Sequence, residues 1–186
     1  MNPRRAGTGR RTGSARGWGS TVSTDRRPTQ LLVAAGRGVV AGLVGTAVMT
    51  GVEKVEQHFT HRPDSYVPAR ALLTLLGRGA GDRDRPPGWN HAMHWATGAT
   101  LGALSGVWAA VGLRGPRAHL AHTVVRLAFD QTVENTTGVG APPRTWPLQE
   151  QVVDVGHKAL YSFATGLVAE RLVAPDLQSR RGTTSH

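Results

Sequence analysis

Residues 89–113 read WNHAMHWATGATLGALSGVWAAVGL, a run without Asp, Glu, Lys or Arg. Gly98, Gly102 and Gly106 recur at four-residue intervals, so three residues without side chains share one stripe of a helix. Such a stripe lets a second helix approach until the two backbones touch, a common packing mode between membrane helices. His94 lies one step earlier on the same stripe. We therefore predict a closely packed helix with a polar group near one end.

Three further stretches share this composition, with small or apolar residues in the middle and Arg at the flanks. We predict helices over about 31–52, 118–134 and 148–173, each near the roughly 20 residues that cross a bilayer. The first carries its own small-residue stripe at Gly38, Gly42 and Gly45. The predicted fold class is all-α, a four-helix transmembrane bundle with a short amphipathic helix at 67–76 in the first outer loop.

The helix over 118–134 leaves two placements open. His119, His122, Arg126, Asp130 and Glu134 are spaced three or four apart and share one face. Taken alone, this is an amphipathic helix lying in the membrane interface, which would put the two termini on opposite sides. Within a bundle it spans the membrane, provided that the polar face points at the other helices and Arg126 pairs with Asp130. We favour four spans.

The chain is strongly basic, with a formal net charge of +10 from 22 Lys and Arg against 12 Asp and Glu. Seven Arg fall in residues 1–30, where Gly, Ser and Thr predict a disordered tail that contacts anionic lipid headgroups. Nucleic acid is disfavoured as a partner because no aromatic residues are interleaved with these Arg. A soluble helical bundle, whose basic tail binds anionic lipid or nucleic acid, is a further alternative to a membrane protein.

The distribution of Arg also predicts orientation. Arg is concentrated in the N-terminal tail, in the turn at 114–117 and beyond 171, so both termini are expected in the cytoplasm. The predicted protein is multi-pass, in the plasma (inner) membrane, with the lipid bilayer as its main partner and a homo-oligomer as an option. Its predicted organisation is a basic tail (1–30), a membrane domain (31–174) and a second disordered tail (175–186).

Three short motifs resemble the YagU-like family, small uncharacterised bacterial inner-membrane proteins. AGLVGTAVMT at 41–50 is similar to their first helix, and HWATGA at 94–99 followed by Gly102 is similar to their second. The stretch APPRTWP at 141–147, followed by Asp154, His157 and Tyr161, resembles their last loop and helix. The resemblance covers about 36–173 and implies a four-helix integral membrane protein without an established activity.

Polar residues are predicted to gather at the outer helix ends. A bundle with both termini inside brings together the set Glu53, His94, Asp130, Glu134, Asp154, His157 and Tyr161. The first interpretation is structural, because hydrogen bonds such as His94–Asp154 or Glu53–His157 would hold the helices together. The alternative is a metal- or proton-binding site, with His94, His157, Asp154 and Glu53 as the best metal ligands. Haem ligation is disfavoured because glycine-mediated packing leaves no wide apolar cleft.

No pattern in the chain predicts an enzyme or a cofactor. GxSxG, phosphate-loop and dinucleotide-binding motifs are all missing, and the glycine runs lie inside apolar helices where close packing explains them. The chain has no Cys, which excludes disulfides, thiolate metal sites and a cysteine nucleophile. We predict a non-enzymatic accessory or structural component of the cell envelope.

Overall fold

The structure is a computed structural model that describes residues 26–79, 81 and 83–177. The two predicted tails lie outside these residues except at 26–30 and 175–177. Within the described chain there is no strand, so the predicted all-α class is confirmed. The elements are α1 (Arg27–Thr60), α2 (Val67–Leu75), α3 (Pro87–Ala110), α4 (Pro116–Thr137) and α5 (Leu148–Leu172), with a 3-10 turn at Pro143–Thr145.

The helix ends follow from proline and from left-handed backbone positions. α1 to α4 each have a proline in the first turn, where its missing N–H would have had no partner in the helix. α1 stops at His61 (φ 56°) and α4 stops at Gly138 (φ 71°), both in the left-handed region. Gly115 (φ 81°) makes the turn between α3 and α4, and a side chain there would strain the backbone.

α1 is longer than the sequence pattern predicts. It contains 34 residues and starts at Arg27, so four residues assigned to the N-terminal tail are helical. At about 1.5 Å per residue it is roughly 50 Å long, which exceeds the ~30 Å hydrocarbon thickness of a bilayer. Its last turns carry Glu53, Lys54 and Glu56. Among the described helices, α1 alone is long and apolar enough by composition to cross a membrane.

α1 and α3 meet backbone to backbone along their glycine stripes. A Cβ atom built on Gly42 would lie 2.7 Å from the Cα of Gly102, and one built on Gly38 would lie 2.8 Å from the Cα of Gly106. Since real Cβ contacts do not come so close, only glycine permits this separation. Gly98 faces Thr46 of α1 in the same seam, and Gly45 faces Tyr161 and Thr165 of α5.

The interior contains small and polar side chains, while the large apolar ones face outward. Val40, Val44, Val48 and Val52 follow each other at four-residue spacing along the exposed side of α1. The usual soluble arrangement, with large apolar side chains inside and polar ones outside, is inverted here. The buried apolar residues are mostly alanines: Ala34, Ala41, Ala69, Ala71, Ala109, Ala110 and Ala169. The buried polar or charged residues are Thr46, Thr97, Ser105, His119, His122, Thr123, Arg126, Lys158, Ser162 and Thr165.

The polar face of α4 points at the other helices, as the sequence pattern requires of a helix at this position that spans the membrane. His119, His122 and Arg126 are buried against the other helices. On the opposite face, Leu120 is 56% and Val124 is 65% exposed. The polar face of this amphipathic helix therefore points into the bundle and its apolar face points away from it.

Candidate functional site

A cavity of about 670 Å³ lies at the end of the bundle where α1 ends and α5 begins. Its lining comes from α1, α3, α4 and α5, from Ala71 of α2 and from the segments around 62–68 and 139–147. The cavity is mixed in character, because Met49, Met93 and Trp146 line it beside many charged groups. The ionisable residues of the lining are Glu53, Arg62, Asp64, His94, Arg126, Asp130, Glu134, Glu150, Asp154, His157 and Lys158.

A chain of ion pairs joins α4 to α5 along one wall. The Nε of Arg126 donates to an Oδ2 of Asp130 at 3.0 Å, one helical turn along α4. Lys158 Nζ lies 3.4 Å from that same oxygen and 2.7 Å from Oδ1 of Asp154. The Arg126 side chain is 3% exposed and the Lys158 side chain 9%. These two buried cations are therefore compensated by two carboxylates, as charges removed from water require.

Tyr161 lies beneath this network and is fully buried. Its hydroxyl donates to the carbonyl oxygen of Gly98 at 2.7 Å, which ties α5 to the glycine stripe of α3. The guanidinium of Arg126 stands 4.8 Å above the Tyr161 ring, in cation–π contact. Tyr161 thus holds the guanidinium in place at the buried side of the cavity, which we call its floor.

The rim of the cavity is more exposed and carries its own pairs. Arg62 Nη2 lies 2.9 Å from Glu56 Oε2 and 3.9 Å from Glu53 Oε1. The hydrogen bond to Glu56 raises the pKa of the Arg62 guanidinium above its usual value. Lys54 Nζ donates to Asp64 Oδ1 at 2.6 Å, and this hydrogen bond lowers the pKa of the Asp64 carboxyl. The segment after α1 is therefore held against the helix end by ion pairs.

Six of the seven residues predicted to gather at the outer helix ends line this cavity, and the seventh, Tyr161, supports it from below. The partners differ from those predicted. Neither His94–Asp154 nor Glu53–His157 forms a hydrogen bond or ion pair in the described chain, because Asp154 pairs with Lys158 and Glu53 lies near Arg62. The six lining residues are Glu53, His94, Asp130, Glu134, Asp154 and His157.

His119 and His122, three residues apart on α4, bind different partners. His119 binds Glu170 Oε1 through Nε2 at 2.9 Å. His122 donates from Nε2 to the carbonyl of Leu101 at 3.0 Å and accepts from Ser162 at Nδ1 at 3.1 Å. Over residues 26–79, 81 and 83–177, no three His, Asp or Glu side chains are grouped closely enough to hold a metal ion.

Sequence reasoning missed two of the cations that organise the cavity. Lys158 was not assigned to it, although it follows Asp154 by four residues and is the one Asp, Glu, Lys or Arg within residues 155–169, a spacing and a location that both indicate an ion pair. Arg62 lies in a loop, and no helical periodicity points to its position. Arg126 was expected only as the partner of Asp130, and its place at the floor depends on the fold.

The opposite end of the bundle is closed by hydrogen bonds. Arg114 donates to the carbonyl oxygens of Val173 at 2.9 Å and of Glu170, and Arg37 donates to that of Leu172 at 3.0 Å. The Glu170 side chain accepts from the backbone N–H of Gly115 at 2.6 Å. These contacts satisfy carbonyls at the end of α5 that have no partner within the helix. The large cavity lies at the other end of the bundle.

Comparison of the chain with protein-family models, with curated proteins and with solved structures gave no match.

Proposed function

We propose that this chain is an integral membrane protein whose four long helices, α1, α3, α4 and α5, cross the bilayer. The observation that carries the proposal is the inverted distribution of side chains. Leu120 and Val124 on α4, and Val152 on α5, are more than half exposed, whereas His122, Arg126 and Lys158 are buried. Burying a Leu or Val side chain stabilises by about 1.5–3 kcal/mol, so a water-exposed surface of this kind is unfavourable. In contact with lipid instead of water, the same exposed Leu and Val side chains are favourable.

The polar interior explains why α4 and α5 do not stand out as spans by composition. α4 and α5 carry Arg126, Asp130, Asp154 and Lys158, which lower their mean hydropathy. All four charges lie in one network inside the bundle. Ionisable residues within membrane segments are expected to face the bundle interior and to pair with one another. The charges are therefore compatible with four spans once their partners are known.

The proposal includes orientation and role. Arg114 and Arg117, in the turn at the closed end, support a cytoplasmic location for that end and for both termini. The cavity would then face the outside of the cytoplasmic membrane. The role we propose is a non-enzymatic accessory or structural component of the envelope, and the motifs at 41–50, 94–99 and 141–147 support placing the chain with the YagU-like proteins.

The cavity favours a second candidate function, a membrane-embedded protein that binds an ion or a proton. Helices held together only by polar contacts do not need about 670 Å³ of space between them. His94 and His157 line this space together with six carboxylates, and both residue types change protonation state readily when they are desolvated. A binding role therefore accounts for the cavity, which a purely structural role leaves without a purpose.

Membrane integration and topology are tested together. We expect the protein to stay in the membrane pellet after alkaline carbonate washing and to need detergent for extraction. Because the chain has no Cys, single cysteines at Thr29, Arg83 and Asn135 report sidedness without background labelling. A membrane-impermeant maleimide applied to intact spheroplasts should label Arg83→Cys and Asn135→Cys but not Thr29→Cys.

Two results would contradict this topology. Release of the protein by carbonate would indicate a soluble bundle. Labelling of Arg83→Cys without Asn135→Cys would place the two ends of α4 on the same side, as expected for a helix lying in the interface.

The second candidate is tested on detergent-purified protein by its metal content and by its proton uptake between about pH 5 and 8. A double variant, His94→Ala with His157→Ala, is measured beside it. Because no three His, Asp or Glu side chains of the described chain are grouped closely enough to hold a metal ion, we expect a proton-uptake step that the double variant loses. Identical metal content and identical uptake curves, with only a lower unfolding temperature in the variant, would leave the structural role alone.

A further inference from the structure

One donor at the floor of the cavity has no acceptor. The Nη1 of Arg126 is buried and makes no hydrogen bond to any group that the structure describes, although Nε of the same side chain pairs with Asp130. Arg126 lines the cavity, and its side chain is 3% exposed. Buried polar groups almost always have partners, and an unmatched charged donor is especially unfavourable. The floor of the cavity thus lacks one acceptor oxygen.

One carboxylate that lines the cavity has no cationic partner among the described residues. Glu134 lines the cavity, and its side chain has no ion pair or hydrogen bond within residues 26–79, 81 and 83–177. It follows Asp130 by one helical turn on α4. No ion pair joins the Arg126 guanidinium to the Glu134 carboxylate, so these two described groups lie more than 4.0 Å apart.

The charges of the lining disfavour ligands that carry only a negative or only a positive charge. Six carboxylates line the cavity against three Arg or Lys side chains, so a simple anion would be repelled on its way to Arg126. A simple cation would satisfy Glu134 and leave the Nη1 of Arg126 without an acceptor. Met93, Val133 and Trp146 add apolar surface to the same cavity, which suits the carbon chain of an organic molecule.

We propose that the cavity binds a small organic zwitterion, with its carboxylate against Arg126 and its ammonium group against Glu134. This inference deepens the binding role proposed above and rests on it. The floor supplies a guanidinium already oriented by Asp130 and by the ring of Tyr161, which reduces the loss of conformational freedom on binding. The ammonium end would then complete the charge balance of the carboxylate-rich wall.

The test uses the full-length protein in detergent and three probes that share a four-carbon chain. These are 4-aminobutanoate, which carries both charges, butanoate, which carries only the anion, and n-butylammonium, which carries only the cation. Binding is measured by calorimetric titration and by the shift of the thermal unfolding midpoint. We expect 4-aminobutanoate to bind and to raise the midpoint, and each single-charge probe to bind at least about tenfold more weakly.

Variants assign the two ends of the ligand. Arg126→Gln and Glu134→Gln should each weaken 4-aminobutanoate binding by about tenfold or more, and Glu134→Gln should bring its affinity close to that of butanoate. Glu134 has no hydrogen bond or ion pair to lose among the described residues, so Glu134→Gln keeps the test decisive even if Arg126→Gln does not fold. Asp176→Asn, at the opposite end of the bundle, is the matched control and should bind like the unaltered chain.

Two results would overturn the zwitterion site. One is that none of the probes binds, as expected if solvent alone serves Arg126. The other is that n-butylammonium binds as tightly as 4-aminobutanoate, which would reduce the site to a cation site at Glu134. Failure here is separable from failure of the proposed function, because carbonate extraction and proton uptake are measured independently of these probes.

Discussion

Two helix contacts in this bundle, between α1 and α3 and between α4 and α5, bring helices together by opposite means. In the first contact, Gly38 and Gly42 approach the glycines of α3 until backbone touches backbone, with no charge between them. In the second contact, Arg126, Asp130 and Lys158 connect the helices through long charged side chains. The glycine seam leaves no room for a side chain, whereas the charged contact borders the cavity. Small side chains thus allow close packing in the first contact, and large charged side chains border the cavity in the second.

The largest effect is expected from adding a side chain to the glycine seam. Gly42→Leu places a side chain where even a Cβ would lie 2.7 Å from the Cα of Gly102, so the helices must separate. Overpacking typically costs about 1–3 kcal/mol, and more when backbone must move, so we expect loss of the folded state. Thermal unfolding of the detergent-purified variant, followed by circular dichroism, measures this.

A matched pair of smaller changes on the same helix is Gly42→Ala, with Gly36→Ala as its control. Nothing lies within 4 Å of a Cβ built on Gly36, so alanine there should leave stability unchanged or raise it by up to about 1 kcal/mol. A Gly42→Ala variant that is as stable as Gly36→Ala would show that α1 and α3 can move apart without loss of stability. The close glycine contact would then not be what holds these two helices together.

A smaller but still large effect is expected in the charged contact. Asp130→Asn removes the carboxylate shared by Arg126 and Lys158, leaving a buried guanidinium with a poor acceptor. Breaking a buried ion pair by removing one partner costs about 3–5 kcal/mol in soluble proteins, and we expect about 3 kcal/mol here. Reversible unfolding in mixed micelles gives the free energy of unfolding.

The double variant Arg126→Gln with Asp130→Asn separates charge from shape. With both charges gone and Lys158 still paired to Asp154, most of the lost stability should return. A double variant that is as unstable as the sum of its single variants would mean that the network stabilises through packing, and the contrast between the two contacts would then be one of size alone.

An intermediate effect is expected where the two contacts meet. Tyr161→Phe removes the hydrogen bond to the Gly98 carbonyl, which links α5 to the glycine stripe of α3. One such bond contributes about 0.5–1.5 kcal/mol, so we expect a loss of about 1 kcal/mol in the free energy of unfolding. Tyr66→Phe, on a half-buried tyrosine before α2, is the control and should change stability by much less. Equal losses in the two variants would contradict a specific role for the Tyr161 hydroxyl.

The smallest effect is expected at the rim, where charges are half exposed. The hydrogen bond from Lys54 lowers the pKa of Asp64, so this pair stabilises the fold at pH values above the ordinary carboxyl pKa of 3.8. The contribution is lost as the pH falls through the lowered pKa, where Asp64 gains a proton. Asp64→Asn should therefore reduce stability by less than about 1 kcal/mol at neutral pH and not at all in strong acid. A difference that persists unchanged in acid would show that the carboxylate charge is not the cause.

Prediction from sequence succeeded where a local pattern carried the information. The four-residue spacing of Gly98, Gly102 and Gly106 defines one face of α3 whatever surrounds it, and the structure places that face against Gly38 and Gly42. The polar face of α4 was likewise visible in the spacing of His119, His122 and Arg126. Its two placements, against lipid headgroups or against other helices, could not be separated because amphipathicity is the same in both.

The sequence by itself determined the all-α class, the glycine faces and the set of polar residues near one end, since each depends on spacing within one helix. Only the tertiary structure decided the partners: Asp154 pairs with Lys158, and Glu53 lies near Arg62. Pairing between elements depends on the depth and rotation of each helix and on how the loops after α1 and α4 fold back. Those quantities are set by the packing of the whole bundle, and no single segment encodes them.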